Sequence, residues 1–268
     1  MRIDMHTHTT ASDGLLSPSE LVKKAFEKRL DGIAITDHDS VDALDEALKK
    51  AKDYEGFLVI PGVEMGCNYD DEEVHILGYF IDYRNSELLE VLSNLKNSRW
   101  ERGVSILNRL EVLGIGLPKD KVLQRSRDTG FIGRATIARE LIRYGYVKNI
   151  NEAFDKYLDV GKPAYVDRYK LTVKDTIDLI HECGGVSILA HPGILKNKQI
   201  MTYCVEKGIM GVECYHSKHS TSDEKLIRSF AERFGLIITG GSDFHGENDI
   251  LGDFSTDIST IPEFWGRL

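Results

Sequence analysis

Cysteine, proline and long apolar runs are scarce in this sequence, and each scarcity excludes a class of protein. The 268 residues include 4 cysteines and 6 prolines. The cysteines form no CxxC pair and no regular spacing, which argues against a disulfide framework and a thiolate zinc site. They are Cys67, Cys183, Cys204 and Cys214. We expect them to be small buried apolar residues in a reducing compartment.

Signals for export or membrane insertion are also missing. The first residues, MRIDMHTH, lack the basic and apolar regions of a signal peptide, and no apolar run approaches the roughly 20 residues that span a bilayer. We therefore expect a cytoplasmic protein that engages no membrane. The formal net charge of -9 argues against broad binding of duplex DNA. An anionic substrate is still compatible with the sequence if the site is locally positive.

Short apolar runs rich in β-branched residues recur along the chain and predict buried strands. These predicted strands are residues 3–5, 32–36, 57–61, 74–81, 185–190, 209–214 and 236–240. Amphipathic stretches typical of helices lie between several of them, at residues 17–28, 41–52, 173–183 and 222–234. This alternation predicts an α/β fold with a mainly parallel sheet, either open or closed into a barrel.

The middle of the chain interrupts this alternation. Residues 86–159 have a charged, helical pattern without a convincing strand, and the candidate helices are 88–95, 102–113, 134–144 and 150–157. We predict a barrel domain of residues 1–85 and 160–268 that carries residues 86–159 as a helical insertion. The insertion is expected to cap the face that bears the site.

Histidines and carboxylates fall at the ends of the predicted strands. His6 and His8 end the first strand, and His38 follows the second. Later strands are followed by Glu64, His191, Asp243 and His245. Because the carboxyl ends of parallel strands converge on one face, we expect these side chains to meet. Imidazoles and carboxylates without thiolates suit zinc, manganese, iron or cobalt, and favour the harder ions among them.

The strength of this signal differs between positions. Residues i and i+2 of a strand point to the same side, which favours ligation by both His6 and His8. His75 lies within a strand pattern, where a core histidine is the alternative, and Glu64 alone is compatible with an ordinary loop carboxylate. Two other histidines are expected to be structural or exposed, namely His181 and His219.

Six motifs resemble, in the same order, those of the PHP (polymerase and histidinol phosphatase) superfamily. They are HTHTTASDG, AITDHDS, PGVE, VHILGYF, AHPG and GSDFH. The segments ECYHSKHS and GFIGRATIAREL further resemble the branch that contains 3',5'-nucleoside bisphosphate phosphatases and 5'-to-3' RNA exonucleases. The resemblance implies a distorted seven-stranded β/α barrel, in agreement with the seven apolar runs.

The same resemblance implies two to three divalent metal ions. A first site would use His6, His8, Glu64 and Asp243, and a second would share Glu64 and add His75 and His191. A third would use Asp13, His38 and His245. Asp13 lies in SDG, a good turn sequence, so a structural role is the alternative for it. Manganese is the preferred metal, with zinc or iron as alternatives.

Two further residues are candidates for substrate binding and catalysis. Arg134 opens a predicted insertion helix and would donate paired hydrogen bonds to a phosphate, the alternative being a solvated arginine. His216 follows the sixth strand and would protonate a leaving alcohol or hold a phosphate, the alternative being support of a ligand. Lys162 and Tyr165 are expected to shape the junction of the insertion, the alternative being contact with the substrate. Aromatic residues available to stack a base, or to pack, are Phe131, Tyr144, Tyr146 and Tyr165.

The sequence thus predicts a metal-dependent phosphoesterase. Its expected substrate is a phosphomonoester of a small nucleotide, of the 3',5'-nucleoside bisphosphate type or at the 5' end of short RNA, attacked by a metal-activated hydroxide. Another small phosphate ester, such as histidinol phosphate or a cyclic sugar phosphate, is the alternative substrate. A non-catalytic metal-binding module is the alternative of another class, which the intact ligand motifs disfavour. No obligatory protein partner is evident.

Overall fold

The computed structural model describes residues 1–70, 72–129, 131–247 and 249–267. The chain divides into two compact units. The first, called here the barrel unit, comprises Met1–Glu90 and Lys170–Leu268, and the second, the helical unit, comprises Val91–Tyr169. The boundaries predicted from the sequence, after residues 85 and 159, lie closer to the N-terminus. That the helical unit caps the site stays a prediction.

The barrel unit is built on one sheet. Its strands are β1 (Arg2–Thr7), β2 (Gly32–Ile35), β3 (Leu58–Tyr69), β4 (Glu72–Tyr79), β5 (Leu171–Thr172), β6 (Val186–Leu189), β7 (Gly211–His216), β8 (Ile237–Gly241) and β9 (Thr256–Asp257). Their order is β8-β7-β6-β4-β3-β2-β1-β9, and β5 pairs with β3. Seven of these strands correspond to predicted ones, whereas the two-residue strands β5 and β9 were not predicted.

The helices of the barrel unit follow the strands. They are α1 (Pro18–Glu27), α2 (Leu44–Ala51), α7 (Val173–Glu182), α8 (Gln199–Glu206), α9 (Thr221–Phe234) and α10 (Pro262–Trp265). Helix α1 begins where expected, because Ser17 and Glu20 form a capping box and Pro18 occupies the first turn. Ser40 does not cap α2, whose cap position is Ala43. Helix α8 was not predicted.

Hydrogen bonds between the ends of β1 and β8 nearly close the sheet into a barrel. Thr7 forms a parallel bridge with Phe244, and the His8 amide donates to the Phe244 carbonyl at 3.0 Å. Inside, apolar side chains from several strands form the core, among them Ile3, Met5, Ile60, Leu77 and Ile188. The predicted α/β barrel is confirmed. Its distortion comes from β4, which runs antiparallel to both β3 and β6.

Strand β3 is much longer than predicted. Its first part pairs with β2 up to Pro61, and from Gly62 to Tyr69 it pairs instead with β4. The Pro-Gly pair suggested the end of a strand, but it marks a change of partner within one strand. Glu64 therefore lies inside a strand and not after one, which corrects the sequence-based placement.

The helical unit is stabilised by its own apolar core. Its helices are α3 (Ser86–Val112), which begins in the barrel unit, α4 (Lys119–Thr129), α5 (Arg134–Arg143) and α6 (Ile150–Ala153), followed by a π-helical turn, Phe154–Leu158. The prediction of two helices before residue 113 was wrong, and α4 was not predicted. Gly103 lies within α3 and gives space to Ile132, which a β-carbon at this position would approach to 2.7 Å. Among the described residues, every helix is too short or too polar to cross a membrane.

All four cysteines are free and buried, as expected from their spacing. None of them belongs to a group of metal-type side chains in the part of the chain that the structure describes. The reducing compartment stays a prediction.

Candidate metal centre

Glu64 lies at the centre of a buried cluster of histidines in the barrel unit. The pleat of β3 directs its side chain inward, and its carboxylate is 1% exposed. Five imidazole nitrogens surround its two oxygens: His75 Nδ1 (2.8 Å) and His191 Nε2 (3.0 Å) at Oε1, and His38 Nδ1 (2.9 Å), His6 Nε2 (3.3 Å) and His8 Nε2 (3.3 Å) at Oε2. One carboxylate thus joins side chains from the ends of three strands, β1, β2 and β6, and from the interior of β4.

The first predicted metal site has the spacing that a metal requires. His6 Nε2 and His8 Nε2 lie 3.6 Å and 3.2 Å from Asp243 Oδ1, and each lies 3.3 Å from Glu64 Oε2. Four ligands bound tetrahedrally at about 2.1 Å would lie about 3.4 Å from one another. The four atoms therefore surround a position of the size of a metal ion.

Buried nitrogen and oxygen atoms without hydrogen bonds support this interpretation. Among the described residues, no hydrogen bond is made by the buried atoms His6 Nε2, His8 Nδ1, His8 Nε2, His38 Nδ1, Glu64 Oε2 and His191 Nδ1. A buried polar atom without a hydrogen bond costs about 1–3 kcal/mol, so a concentration of such atoms indicates a missing partner. A divalent metal ion is a partner that this donor set fits.

The other two predicted sites overlap in the structure. His38 lies between them, with Nδ1 facing Glu64 and Nε2 4.0 Å from Asp13 Oδ1. His245 Nε2 lies 3.1 Å from the same Asp13 oxygen, and the His245 ring stacks on His8. Metal-type groups are therefore formed by His38, Glu64 and His75, and by His8, Asp13, His38 and His245. All nine predicted ligands come together, although their assignment to particular ions stays a prediction.

The chain reaches these positions through a constrained backbone. The Asp37 carboxylate accepts hydrogen bonds from the Thr9 amide, the Thr9 hydroxyl and the Ser12 hydroxyl, which fixes the loop after β1. His191 and Asp243 have positive φ angles of 33° and 54°. Such strain in residues with side chains concentrates at functional sites.

Burial and charge divide the histidines into two groups. Burial lowers the pKa of His8 to about 3 and that of His191 to about 4, so both rings are neutral with available lone pairs. Burial also lowers the pKa of His75, but the Glu64 carboxylate outweighs it and raises that pKa to about 9. Burial raises the pKa of the predicted carboxylate ligands, but nearby histidines lower it by more. The pKa values of Asp13, Glu64 and Asp243 therefore lie well below their usual range. The carboxylates are thus anionic, the form that binds a metal.

His216 has a hydrogen bond that defines its protonation. Its Nδ1 accepts a hydrogen bond from the Lys218 amide at 3.1 Å, so Nε2 carries the proton of the neutral ring. His216 Nε2 lies 3.4 Å from Asp243 Oδ2, and Lys218 Nζ lies 3.1 Å from the same oxygen. A ring with a proton on Nε2 suits proton donation better than metal ligation by that atom.

Glu213 is a buried carboxylate at the centre that the sequence analysis missed. It lies in β7 and is 0% exposed, with Oε1 3.0 Å from His6 Nδ1 and Oε2 2.8 Å from the His191 amide. With His6 and His216 it forms a further group of metal-type side chains. The available signal was a lone carboxylate inside an apolar strand sequence, GVECY.

The two histidines that were expected to be structural or exposed have structural contacts. His181 Nε2 lies 2.9 Å from the Ser187 hydroxyl. His219 Nε2 accepts from the Gly193 amide at 3.0 Å, and its Nδ1 donates to the Cys214 carbonyl at 2.8 Å.

Arg134 belongs to the helical unit, at the first position of α5. Its guanidinium lies 3.8 Å from an Asp159 oxygen and over the rings of Phe154 and Tyr165. Of the other aromatic candidates, Phe131 is buried beneath Arg99, whereas Tyr144 and Tyr146 are exposed. Substrate contacts by these residues stay predictions.

A β/α barrel that gathers histidines and carboxylates at the ends of its strands defines a class of metal-dependent hydrolases. The family model of the PHP domain matches residues 4–158, and the chain belongs to this family.

Its relatives have hydrolytic functions. A 5'-3' exoribonuclease of Haemophilus influenzae is 34% identical over 250 residues, which cover 91% of this chain and 90% of the relative. A 3',5'-nucleoside bisphosphate phosphatase of Chromobacterium violaceum is 32% identical over 253 residues, 92% of this chain and 88% of the relative. The predicted branch of the superfamily is therefore confirmed.

Solved structures give the same result. An amidohydrolase from Chromobacterium violaceum, solved with bound sulfate and no metal, has a TM-score of 0.91 at 30% identity, with 100% of this chain and 97% of that chain covered. A proposed metal-dependent phosphoesterase from Bifidobacterium adolescentis has a TM-score of 0.88 at 28% identity, with 99% and 96% covered. The predictions of a hydrolase, of phosphoesterase chemistry and of metal dependence are confirmed.

Proposed function

We propose that this protein removes a phosphate from a small nucleotide of the 3',5'-nucleoside bisphosphate type, with activity on the 5' ends of short RNA. The observation that carries the proposal is the Glu64-centred cluster in a chain whose relatives include a nucleoside bisphosphate phosphatase and an exoribonuclease. The cluster supports phosphoester hydrolysis, and the relatives support the nucleotide.

Two to three divalent ions, manganese foremost, are proposed as the cofactors. His6, His8, Glu64 and Asp243 would hold one ion, and the remaining predicted ligands would hold the others, namely His75, His191, Asp13, His38 and His245. Bound ions would neutralise charge on phosphoryl oxygens and lower the pKa of water at the site. The absence of thiolates from the cluster favours manganese or iron over a purely structural zinc site.

His216 is proposed as the proton donor to the leaving alcohol. The Lys218 amide holds its Nδ1, and Nε2, which makes no hydrogen bond among the described residues, lies 3.4 Å from Asp243 Oδ2, a carboxylate of the predicted first metal site. A positioned general acid at this point would assist departure of the nucleoside hydroxyl. The neighbouring Lys218 ammonium adds positive charge beside the same carboxylate.

Arg134 is proposed to bind the second phosphate of the substrate. A bisphosphate carries a phosphate that is not transferred, and a guanidinium recognises such a group through paired hydrogen bonds. The Arg134 guanidinium lies 5.5 Å and 6.0 Å from the ring centroids of Phe154 and Tyr165, and these cation–π contacts restrict its position, which supports such a role. We also propose a cytoplasmic location, because nucleotides and short RNA, the proposed substrates, are found inside the cell.

The test is release of inorganic phosphate by manganese-loaded protein from adenosine 3',5'-bisphosphate, compared with AMP, histidinol phosphate and a short 5'-phosphorylated RNA. We expect turnover of the bisphosphate to exceed that of AMP and histidinol phosphate by at least about 10-fold, a difference of 1.4 kcal/mol in transition-state binding. Asp243→Asn should abolish turnover, whereas Asp249→Asn, at an exposed aspartate paired with lysines, should retain it. Preference for histidinol phosphate would overturn the substrate, and no turnover by metal-loaded protein would overturn the function.

A second arm examines Arg134. Arg134→Gln should raise KM for the bisphosphate by about 10-fold, because loss of a charge-assisted contact costs about 1.5–3 kcal/mol. Arg143→Gln is the matched control, since Arg143 ends the same helix and pairs with Glu140. An unchanged KM in Arg134→Gln would remove this residue from the substrate site.

A further inference from the structure

Glu213 makes two contacts that link separate parts of the metal centre. One carboxylate oxygen faces the His6 ring at the end of β1, and the other accepts from the backbone amide of His191, which follows β6. The side chain of Glu213 is completely buried, so water does not compete for either oxygen. A carboxylate placed in this way acts on two predicted ligands without occupying their ligand atoms.

The contact with His6 determines which ring nitrogen is available. A carboxylate accepts and does not donate, so His6 Nδ1 carries the proton in the 3.0 Å contact with Glu213 Oε1. The Nε2 lone pair then points to the position between Glu64 Oε2 and Asp243 Oδ1, at 3.3 Å and 3.6 Å. A carboxylate behind a ligating histidine sets the tautomer and orientation in this way.

The contact with His191 holds a strained turn. His191 has φ 33° and ψ 52°, a left-handed conformation that residues with side chains seldom adopt. Glu213 Oε2 accepts a hydrogen bond from the His191 amide at 2.8 Å. The amide of Gly193, two residues after His191, donates to His219 Nε2. A side chain at position 193 would meet the His219 ring at 2.4 Å, so Gly193 is needed for this approach. Strand β7 and the loop after it therefore hold the turn that carries His191.

We infer that Glu213 is a positioning residue of the metal centre, which sets the His6 tautomer and the His191 turn so that both rings can bind a divalent ion. The inference rests on the proposed function only in requiring that the cluster binds metal. It is tested without any substrate.

The main experiment measures manganese affinity of metal-free Glu213→Gln by competition with a chromophoric chelator. Glutamine offers one acceptor oxygen, so one of the two donors would face an NH₂ group. We expect manganese affinity to fall by about 10- to 100-fold. Glu140→Gln is the matched control, because it makes the same change at a buried glutamate that pairs with Arg125 and Arg143, and its affinity should match the wild type.

A second readout reports the tautomer directly. Because the Glu213 and Glu64 carboxylates outweigh burial and raise the pKa of His6 well above its usual value, the tautomer is read at alkaline pH, where the ring is neutral. Ring ¹⁵N chemical shifts of metal-free protein at that pH, assigned through a His6→Gln sample, should show a protonated Nδ1 in the wild type and in Glu140→Gln. In Glu213→Gln we expect a mixed or reversed tautomer at His6. The circular dichroism spectrum and Tm of metal-free Glu213→Gln should match those of the metal-free wild type, which a role in folding alone would not produce.

Wild-type affinity together with an unchanged His6 tautomer in Glu213→Gln would overturn the inference. If that variant does not fold, Glu213→Asp replaces it: the shorter side chain keeps the charge but cannot span both contacts, so an affinity equal to wild type would again overturn it. Metal binding without turnover of any phosphate ester would overturn the proposed function alone. A wild-type protein that binds no divalent ion would overturn both.

Discussion

At the scale of single residues, the hydrogen bonds of the histidines separate ligation from proton transfer. His8 makes no hydrogen bond through either nitrogen among the described residues, whereas the Nδ1 of His216 is occupied by a backbone amide. A neutral ring whose Nδ1 accepts must carry its proton on Nε2 and cannot offer that atom to a metal. Both residues are histidines, but their surroundings suit His8 to metal binding and His216 to proton donation.

We therefore predict that His216→Gln lowers kcat without loss of metal. The expected decrease is about 100-fold, the lower end of what a positioned general acid contributes. It should be much smaller for a substrate with an acidic leaving group such as 4-nitrophenol, which departs without a proton. Steady-state kinetics and metal analysis of the purified variant check both statements. The control is His181→Gln, at a histidine paired with Ser187. Loss of a metal ion from His216→Gln would instead identify His216 as a ligand.

At the scale of secondary-structure elements, the close approach of β1 and β8 brings together ligands of the first predicted metal site from the two strands. Gly241 ends β8, and a β-carbon there would lie 2.3 Å from the β-carbon of His6. The two backbones can lie this close because residue 241 has no side chain. The approach brings Asp243, two residues later, to His6 and His8.

Gly241→Ala should separate these strands. We expect the free energy of unfolding to fall by about 1–3 kcal/mol, the usual cost of overpacking, and manganese affinity to fall with it. Gly266→Ala is the control, because no described residue lies within 4 Å of the position that its β-carbon would take and its φ of -78° suits alanine. Urea unfolding of the metal-free proteins and chelator competition measure the two effects. A variant with wild-type stability and affinity would contradict this account of the β1 and β8 contact.

The element scale also shows which local signals were sufficient. Helices α1 and α9 begin beside Ser17 and Ser220, each in a capping box, and both were predicted to within a few residues. The strand predicted from the sequence ended at Pro61, whereas β3 continues to Tyr69 because its second part pairs with β4. Helix α3 continues through Gly103, where the close approach of Ile132 leaves no space for a side chain, and no local pattern reveals this contact.

At the scale of the whole molecule, a chain of net negative charge also gathers four carboxylates into one buried cluster. The chain carries a formal net charge of -9 and buries the carboxylates of Asp13, Glu64, Asp243 and Glu213 in one cluster. Burying charges away from water is costly unless they are paired. Bound divalent ions would compensate them only in the folded state.

Metal removal should therefore destabilise the protein. An ion that binds only the folded chain adds about 4 kcal/mol at a concentration of 1,000 times its Kd. For a protein of this size we expect Tm to fall by about 8–16 °C after chelation, and to recover when manganese is added. Differential scanning calorimetry of metal-free and reconstituted protein checks this, with Asp243→Asn expected to show a smaller difference. Equal Tm values for the two wild-type forms would contradict metal binding at the cluster.

The sequence by itself determined the family, the alternation of strands and helices and the residue types of the site. These properties reside in short contiguous motifs such as HTH and TDHD, whose spacing is readable without a structure. Only the tertiary structure decided that Glu64 contacts five histidines and that Glu213 stands behind His6. Such contacts join residues far apart in the chain, and they arise from strand pairing and from the change of partner within β3. Local sequence signals do not specify which strands pair with one another, because the energy of a contact is realised only when both partners are in place.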